Sequence, residues 1–120
     1  MSKKTVIIGA SDNTERYSYK ATIALQKHNH EVIPIGIRKG NINGIDIILE
    51  RPIVNDVDTV TLYVGPQNQD SWKEYIINLK PKRVIFNPGT ENSEFEKQLI
   101  EHSIEPIEAC TLVMLSIGNY

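Results

Sequence analysis

Residues 5–11 read TVIIGAS, a short apolar-rich run that ends at a glycine and two small residues. A continuous run of this kind is typical of a β-strand that is buried on both faces. Gly9 allows the backbone to turn sharply as it leaves the strand. From Tyr17 to about Lys27 the apolar residues then recur at helical spacing, with Ala21 and Leu25 on one side. The stretch therefore predicts a strand, a tight loop and a helix, which is the repeating unit of an α/β fold.

The rest of the chain repeats this alternation of strand and helix. Further strands are predicted at Glu31–Gly36, Asp46–Leu49 (short and peripheral), Thr59–Val64, Arg83–Asn87 and Pro106–Ala109. Further helices are predicted at Ser71–Leu79 and Glu94–His102, followed by a short terminal helix or extension at Thr111–Ile117. Parallel neighbouring strands need crossover connections of this length. We therefore expect a Rossmann-like α/β fold, with a mainly parallel five-stranded sheet and helices on both faces.

Length and composition fit one domain that spans residues 1–120. The net charge of −2 and a pI near 5.9 argue against a general nucleic-acid or membrane-surface binder, because both need a basic face. Cys110 is the only cysteine, which excludes an intramolecular disulfide and favours a reducing compartment. The apolar run that begins the sequence is too short for a signal peptide, so we expect a cytoplasmic protein.

The fold prediction indicates which loops to inspect. In an open parallel sheet, ligands bind beyond the carboxyl ends of the strands, where the strand order reverses. The loops that leave those ends are Gly9–Ser18, Gly36–Gly44, Gly65–Asp70, Asn87–Ser93 and the segment from Cys110 onward.

The first of these loops is suited to a phosphate. Ala10 and Ser11 are small, so main-chain N–H groups can approach a ligand, and the following helix presents its positive end to the same space. Ser11 adds a hydroxyl and Arg16 a charged fork. The loop has a single glycine and is not the G-x-G-x-x-G dinucleotide fingerprint. A tight turn before a capped helix explains the same residues and stays open as an alternative.

The second loop carries two adjacent cations, Arg38 and Lys39, and no acid directly after the second strand. NAD sites usually place an Asp or Glu there to hold the ribose hydroxyls. The cations instead suit an extra ribose phosphate, as in NADP or the 3′-phosphate of coenzyme A. A solvated basic turn is the structural alternative.

The third and fourth loops carry few ionisable residues. The loop that follows the central strand begins with Gly65 and Pro66 and has no charged residue before Asp70. The loop that begins Asn87-Pro88-Gly89 can offer N–H groups to an anion, although its Ser and Glu residues are also typical of an ordinary helix start.

No set of catalytic groups is evident. The three histidines and the acids Asp56 and Asp58 all precede strands, and thus belong to the other edge of the sheet. Ser11 lacks the context of a nucleophile elbow. Cys110 follows the last strand, but its neighbours supply no positive charge that would activate a thiol. A redox role for Cys110 stays open.

These loops resemble a known family. The residues that carry the resemblance are Gly9-Ala10-Ser11-Asp12-Asn13, Glu15-Arg16-Tyr17-Ser18, Pro34-Ile35, Gly44, Asn87-Pro88-Gly89 and Cys110. In this order they resemble the small stand-alone CoA-binding domain proteins, which are similar to the CoA-binding domain of the succinyl-CoA synthetase α subunit. The resemblance spans nearly the whole chain.

The resemblance implies a ligand and its contacts. Gly9, Ser11, Asn13 and Arg16 would hold the pyrophosphate, the basic turn would lie near the adenosine phosphate, and Gly65-Pro66 with Asn87–Gly89 would line the rest of the groove. Two departures are visible. The family often has Pro-Val-Asn-Pro where this chain has PIGI at 34–37, and often a basic residue where this chain has Thr111. The phosphohistidine of the synthetase belongs to another domain, so ligase activity is not implied.

We therefore expect non-catalytic binding of coenzyme A or acyl-CoA. The alternatives are an NADP-linked oxidoreductase or redox sensor, and an interaction subunit whose cofactor groove has decayed. The expected partner is a small nucleotide ligand rather than nucleic acid or a membrane, and a homodimer or a protein partner stays open. The twelve expected contact residues are Gly9, Ala10, Ser11, Asn13, Arg16, Arg38, Lys39, Gly65, Pro66, Asn87, Pro88 and Gly89.

Overall fold

The computed structural model describes residues 2–120 and contains a five-stranded parallel sheet. Its strands are β1 (Thr5–Ile8), β2 (Val32–Ile35), β5 (Thr59–Leu62), β6 (Arg83–Phe86) and β7 (Glu105–Glu108), and the short strands β3 (Asn41–Ile42) and β4 (Ile45–Asp46) form a separate hairpin. The helices are α1 (Tyr17–Lys27), α2 (Asp70–Leu79), α3 (Ser93–Glu101) and α4 (Thr111–Ser116), with a 3₁₀ turn at Pro66–Asn68.

The strand order is β2-β1-β5-β6-β7, and every neighbouring pair is parallel. The order reverses between β1 and β5, because the chain runs outward from β1 to β2 and then returns to the other side of β1. This is the topological switch point at which open α/β sheets bind ligands. The predicted Rossmann-like α/β fold is therefore confirmed.

Helices cover both faces of the sheet. On one face α2 and α3 pack against apolar strand residues, and the buried side chains there include Phe86, Phe95, Leu62, Ile76 and Leu99. On the other face α1 and α4 pack against the sheet through Ile7, Leu25, Val32 and Leu115. Because β1 and most of β6 are buried on both faces, their sequences are nearly continuous apolar runs. Strand β5 is also buried on both faces, but in its sequence Thr59 and Thr61 alternate with Val60 and Leu62.

The connection from β2 to β5 departs from the prediction. No helix forms between these strands, and the strand expected at Asp46–Leu49 is wrong. The second strand of the β3–β4 hairpin instead ends at Asp46, and Ile48 makes only an isolated bridge to Ile35. Asn43 and Gly44 have φ values of 48° and 92°, the left-handed conformations that a tight hairpin turn requires.

The hairpin is anchored on α1. Ile42 is fully buried among residues of that face of the sheet, and the Asn43 side chain donates a hydrogen bond to Gln26 Oε1 at 3.2 Å. The chain then crosses α2, where the Tyr75 hydroxyl donates to the Pro52 carbonyl at 2.7 Å. This packing fixes the connection that carries the basic turn. Within residues 2–120, no helix has both the length and the apolar character needed to cross a bilayer.

Candidate functional site

Five loops leave the carboxyl ends of the sheet strands, and we call them the carboxyl-edge loops: residues 9–16, 36–40, 63–69, 87–92 and 109–110. Close backbone contacts hold the first of them against its neighbours. A Cβ added to Gly9 would lie 3.1 Å from the Tyr63 carbonyl, and one added to Gly36 would lie 2.5 Å from the Ala10 carbonyl oxygen. The loops after β1, β2 and β5 therefore meet at the switch point.

A third contact joins the first loop to the end of the basic turn. A Cβ on Gly40 would lie 2.6 Å from Oδ2 of Asp12, so the Asp12 carboxylate rests against the Gly40 backbone. Sequence reasoning found no acid at the end of β2 and did not single out Asp12. The structure shows that the first loop brings one there, which the position of Asp12 along the chain could not reveal.

The first loop uses some of its own donors. The N–H groups of Gly9 and Ala10 both donate to the Ile35 carbonyl, at 3.0 and 2.9 Å. The Asn13 N–H donates to Ser11 Oγ at 3.1 Å, and the Glu15 N–H donates to Asn13 Oδ1 at 3.0 Å. These four bonds shape the loop. The structure therefore places four of the expected contact residues at this edge and shows that each takes part in a hydrogen bond within the protein: Gly9, Ala10, Ser11 and Asn13.

The start of α1 offers further donors. Arg16 is the N-cap residue, has extended backbone angles and makes no side-chain capping bond. The first N–H groups of a helix have no partner within the helix, and without a cap they are available to an anion. The Arg16 side chain is exposed beside them. This end of the helix is thus positive, uncapped and open.

Arg38 and Lys39 are exposed on the turn after β2. Neither side chain makes a hydrogen bond or an ion pair with the part of the chain that the structure describes. Both cations are therefore free to meet a ligand phosphate. The Gly36 and Gly40 contacts hold this turn beside the first loop.

Gln69 connects the third and fourth loops, and sequence reasoning missed it. It is fully buried, and its Nε2 donates to the Val64 and Thr90 carbonyls, both at 2.8 Å. Its Oε1 accepts from Asn92 Nδ2 at 2.9 Å. Asn92 in turn caps α3, accepting from the Phe95 N–H. A buried Gln can satisfy its polar atoms only through such partners, but no local pattern in the sequence identifies them.

The network sets the shape of the rest of the site. Gly65 and the exposed Pro66 lie just before Gln69 and open the 3₁₀ turn. Pro88 and Gly89 are exposed on the neighbouring loop, where Gly89 has a φ of +93°. The Gly89 N–H donates to Glu91 Oε1 at 2.9 Å.

Asn87 is buried, with 2% of its surface exposed. Its Nδ2 donates to Thr61 Oγ1 at 2.7 Å and to the Leu62 carbonyl at 3.0 Å, while its Oδ1 accepts from the Thr111 N–H at 2.9 Å. Both amide hydrogens are thus used within the protein. Asn87 ties the end of β5 to the start of α4 and positions the loop that follows it.

Cys110 is the N-cap of α4 and is partly exposed at this edge. The Tyr63 side chain lies nearby, and burial raises the pKa of its phenol, partly offset by the hydroxyls of Thr111 and Thr61. Tyr63 is therefore a neutral, largely buried residue of the site at physiological pH.

The three histidines lie away from the carboxyl-edge loops. His30 accepts a hydrogen bond from the Lys3 N–H at 2.9 Å and packs against the Tyr120 ring, at the amino ends of the strands. His28 and His102 are exposed at helix ends, each bonded to a carbonyl of its own helix. Across residues 2–120, no three metal-ligating side chains come together.

A second, open groove of about 1300 Å³ lies at the amino ends of the strands. Two of its three lysines have protein acceptors: Lys4 donates to the Asn55 carbonyl at 2.8 Å, and Lys82 lies 3.6 Å from Asp58. Glu31 and Asp56 also line it. This balance of charge and the absence of the switch point make it a poorer phosphate site than the carboxyl edge, despite its volume.

The fold and this edge of the sheet define a class, the Rossmann-like α/β proteins with a ligand site at the topological switch point. Within that class the family can be given: residues 3–116 match the family described as "CoA binding domain", and the chain belongs to it. The predicted resemblance is thereby confirmed for the family. The narrower similarity to succinyl-CoA synthetase stays a prediction.

Solved structures show the same architecture. The crystal structure of an uncharacterized protein is 57% identical, with a TM-score of 0.98, and the alignment covers 100% of this chain and 99% of that one. A conserved hypothetical protein from Pyrococcus furiosus is 25% identical, with a TM-score of 0.81 over 92% of this chain and 97% of that one. A hypothetical protein from Pyrococcus horikoshii OT3 is 24% identical, with a TM-score of 0.87 over 97% and 83%, which supports the fold alone. No curated protein matches the chain.

Proposed function

We propose that the protein binds coenzyme A or acyl-CoA at the carboxyl-edge loops and catalyses no reaction itself. The observation that carries this proposal is the match of residues 3–116 to the CoA binding domain family, in a chain whose first three carboxyl-edge loops touch at the switch point. The family supports the choice of ligand, and the contacts among these loops support this location for it.

The diphosphate is expected at the start of α1. The uncapped N–H groups of this helix and the exposed Arg16 offer several donors and a positive charge within one turn. The ribose phosphate of CoA is expected at Arg38 and Lys39, which form no ion pair with an acid among residues 2–120. The remaining expected contacts, Gly65, Pro66 and the loop from Asn87 to Gly89, would then line the path of the pantetheine arm.

A purely binding role is supported by the chemistry of the site. Its side chains are hydroxyls, amides, cations and the Asp12 carboxylate, and burial raises the pKa of the nearby phenol of Tyr63. The three histidines lie near the ends of strands and helices at the opposite edge. The thiol of Cys110 lies near the loops, and it could form a mixed disulfide only by exchange with the disulfide form of a thiol ligand, which would release the other thiol of that disulfide.

NADP is the second candidate, because Arg38 and Lys39 suit any ribose that carries a phosphate. Titration calorimetry with CoA, acetyl-CoA, dephospho-CoA and NADP separates the two. We expect CoA and acetyl-CoA to bind most tightly and dephospho-CoA to bind about tenfold more weakly, through loss of its contacts with the cations. Tighter binding of NADP than of CoA would favour the oxidoreductase alternative.

Charge variants locate the ligand. Arg16→Ala and Arg38→Ala are each expected to weaken CoA binding by about tenfold or more, the range for a charge-assisted hydrogen bond. Lys27→Ala is the matched control, because it also removes one positive charge and Lys27 is exposed at the far end of α1. If Lys27→Ala weakened CoA binding as much as the other two variants, the proposed location would be wrong.

A further inference from the structure

The Asp12 carboxylate occupies a distinctive place in the site. It comes from the loop after β1, but it rests against Gly40, directly after the Arg38–Lys39 pair of the β2 turn. Its oxygen would lie 2.6 Å from a Gly40 Cβ, so a larger residue at position 40 would displace it. The acid of the first loop therefore lies against the residue that directly follows the two cations of the β2 turn.

The Asp12 carboxylate is also free. It is exposed, and it makes no hydrogen bond or ion pair with any residue from 2 to 120. A carboxylate accepts hydrogen bonds and repels phosphate, whereas the neighbouring cations attract phosphate. The two kinds of group together match a ribose that carries one phosphate and one free hydroxyl.

We propose that Asp12 is a specificity-determining residue that accepts a hydrogen bond from the free 2′-hydroxyl of the ligand ribose, while Arg38 and Lys39 bind the 3′-phosphate. The inference rests on the proposed binding of CoA and deepens it. In dinucleotide-binding folds an acid at the end of the second strand receives the ribose hydroxyls. Here the first loop supplies that acid, which leaves the end of β2 for the cations.

Two ligands, each measured against the wild type and two variants of Asp12, test the contact. The ligands are adenosine 3′,5′-bisphosphate, which is the ribose end of CoA, and its 2′-deoxy analogue, each measured by displacement of labelled CoA. The wild type should bind the ribose ligand about tenfold to a hundredfold more tightly than the deoxy ligand, the range for a hydrogen bond to a charged group. Asp12→Ala should bind the two ligands equally, and Asp12→Asn should discriminate weakly.

The ratio of the two affinities is the decisive quantity, because removing an acid near two cations raises the affinity for any phosphate. Glu15→Ala is the control: it removes an exposed acid from the same loop and should keep the full ratio. Thermal unfolding of each variant verifies that it is folded.

The outcomes distinguish this inference from the function on which it rests. A wild type that does not bind CoA overturns both. The role of Asp12 alone is overturned if the wild type binds CoA but has equal affinity for the two bisphosphates. It is also overturned if neither bisphosphate displaces labelled CoA from the wild type. An Asp12→Ala variant that keeps the wild-type ratio overturns it as well.

Discussion

Gly36 shows how one residue can set the geometry of two loops. Its backbone lies so close to the Ala10 carbonyl oxygen that an added Cβ would be 2.5 Å away, and the Ile47 side chain lies 3.0 Å away on another side. Its φ is not in the left-handed region, so the requirement for glycine here is one of contact. The contact between Gly36 and Ala10 thereby fixes the distance between the turn that carries Arg38 and Lys39 and the first carboxyl-edge loop.

Gly36→Ala is expected to lower the free energy of unfolding by about 1–3 kcal/mol, the usual cost of overpacking, and to weaken CoA binding as the loops separate. Urea unfolding and titration calorimetry measure the two effects. Gly44→Ala is the control, because its Cβ would meet nothing within 4 Å and its cost comes from a φ of +92° at the hairpin turn. Gly44→Ala should lose stability and keep its affinity. An unchanged affinity in Gly36→Ala would contradict the role of this contact.

Asn87 is a second residue at which the structure changes the expected role. The sequence predicts a ligand contact in the loop after β6, whereas three hydrogen bonds of the Asn87 side chain go to β5 and α4. Polar groups that follow a strand can face a ligand or the interior, and sequence position does not separate these cases. Its contact with the ligand stays a prediction, and its structural role follows from the bonds.

Asn87→Ala is expected to destabilise the fold by about 2–4 kcal/mol, because it leaves the buried Thr111 N–H and Leu62 carbonyl without partners. Chemical unfolding monitored by circular dichroism measures this loss. Asn55→Ala, an exposed position of the same residue type, should change stability by no more than about 0.5 kcal/mol. A loss in Asn87→Ala as small as in Asn55→Ala would show that the buried network contributes little.

At the scale of elements, α3 joins the site through its first turn. Asn92 accepts from the Phe95 N–H at 3.1 Å, and Glu96 Oε2 accepts from the Asn92 N–H at 3.3 Å, a reciprocal cap. Burial raises the pKa of Glu96, and the neighbouring Glu108 and Glu91 raise it further, while the bond from Asn92 opposes them. The carboxyl group of this cap therefore loses its proton less readily than an exposed glutamate does.

This shift predicts a pH dependence. A carboxyl group whose pKa is higher in the folded state contributes stability at pH values below its unfolded pKa, about pH 4, and loses it as the pH rises through the folded value. Glu96→Gln keeps the acceptor and removes the charge. It should therefore be more stable than the wild type at about pH 7 and equal to it at about pH 4. Urea unfolding at both pH values tests this. A Glu96→Gln variant that is less stable at pH 7 would contradict the direction of the shift.

The elements also show what the sequence could and could not predict. The pattern of apolar residues located α1 and the buried strands β1, β2, β5 and β6. This was possible because the apolar residues that bury these segments are close together in the sequence. The β3–β4 hairpin was missed although Asn43-Gly44 is a typical turn pair, because its strands have only two residues each. Gln69 and Asp12 were missed for another reason. Their importance comes from partners on other loops, which only the tertiary structure brings near.

At the scale of the whole molecule, the strand order places every carboxyl-edge loop on one side of the sheet and the histidines on the other. The rule that ligands bind at the switch point thus selects one edge before any side chain is considered. The competing groove at the amino ends has a volume of about 1300 Å³, but two of its lysines, Lys4 and Lys82, are engaged by protein groups. The carboxyl and amino ends of the strands are therefore two alternative ligand sites that an experiment can distinguish.

The most direct test is a CoA titration of the ¹⁵N-labelled protein followed by amide NMR shifts. The account predicts saturable shifts that cluster at residues 9–18, 36–40, 65–69 and 87–92, with little change at Lys4, Lys80 and Lys82. Absence of any shift, or shifts centred on those three lysines at the amino edge, would contradict it.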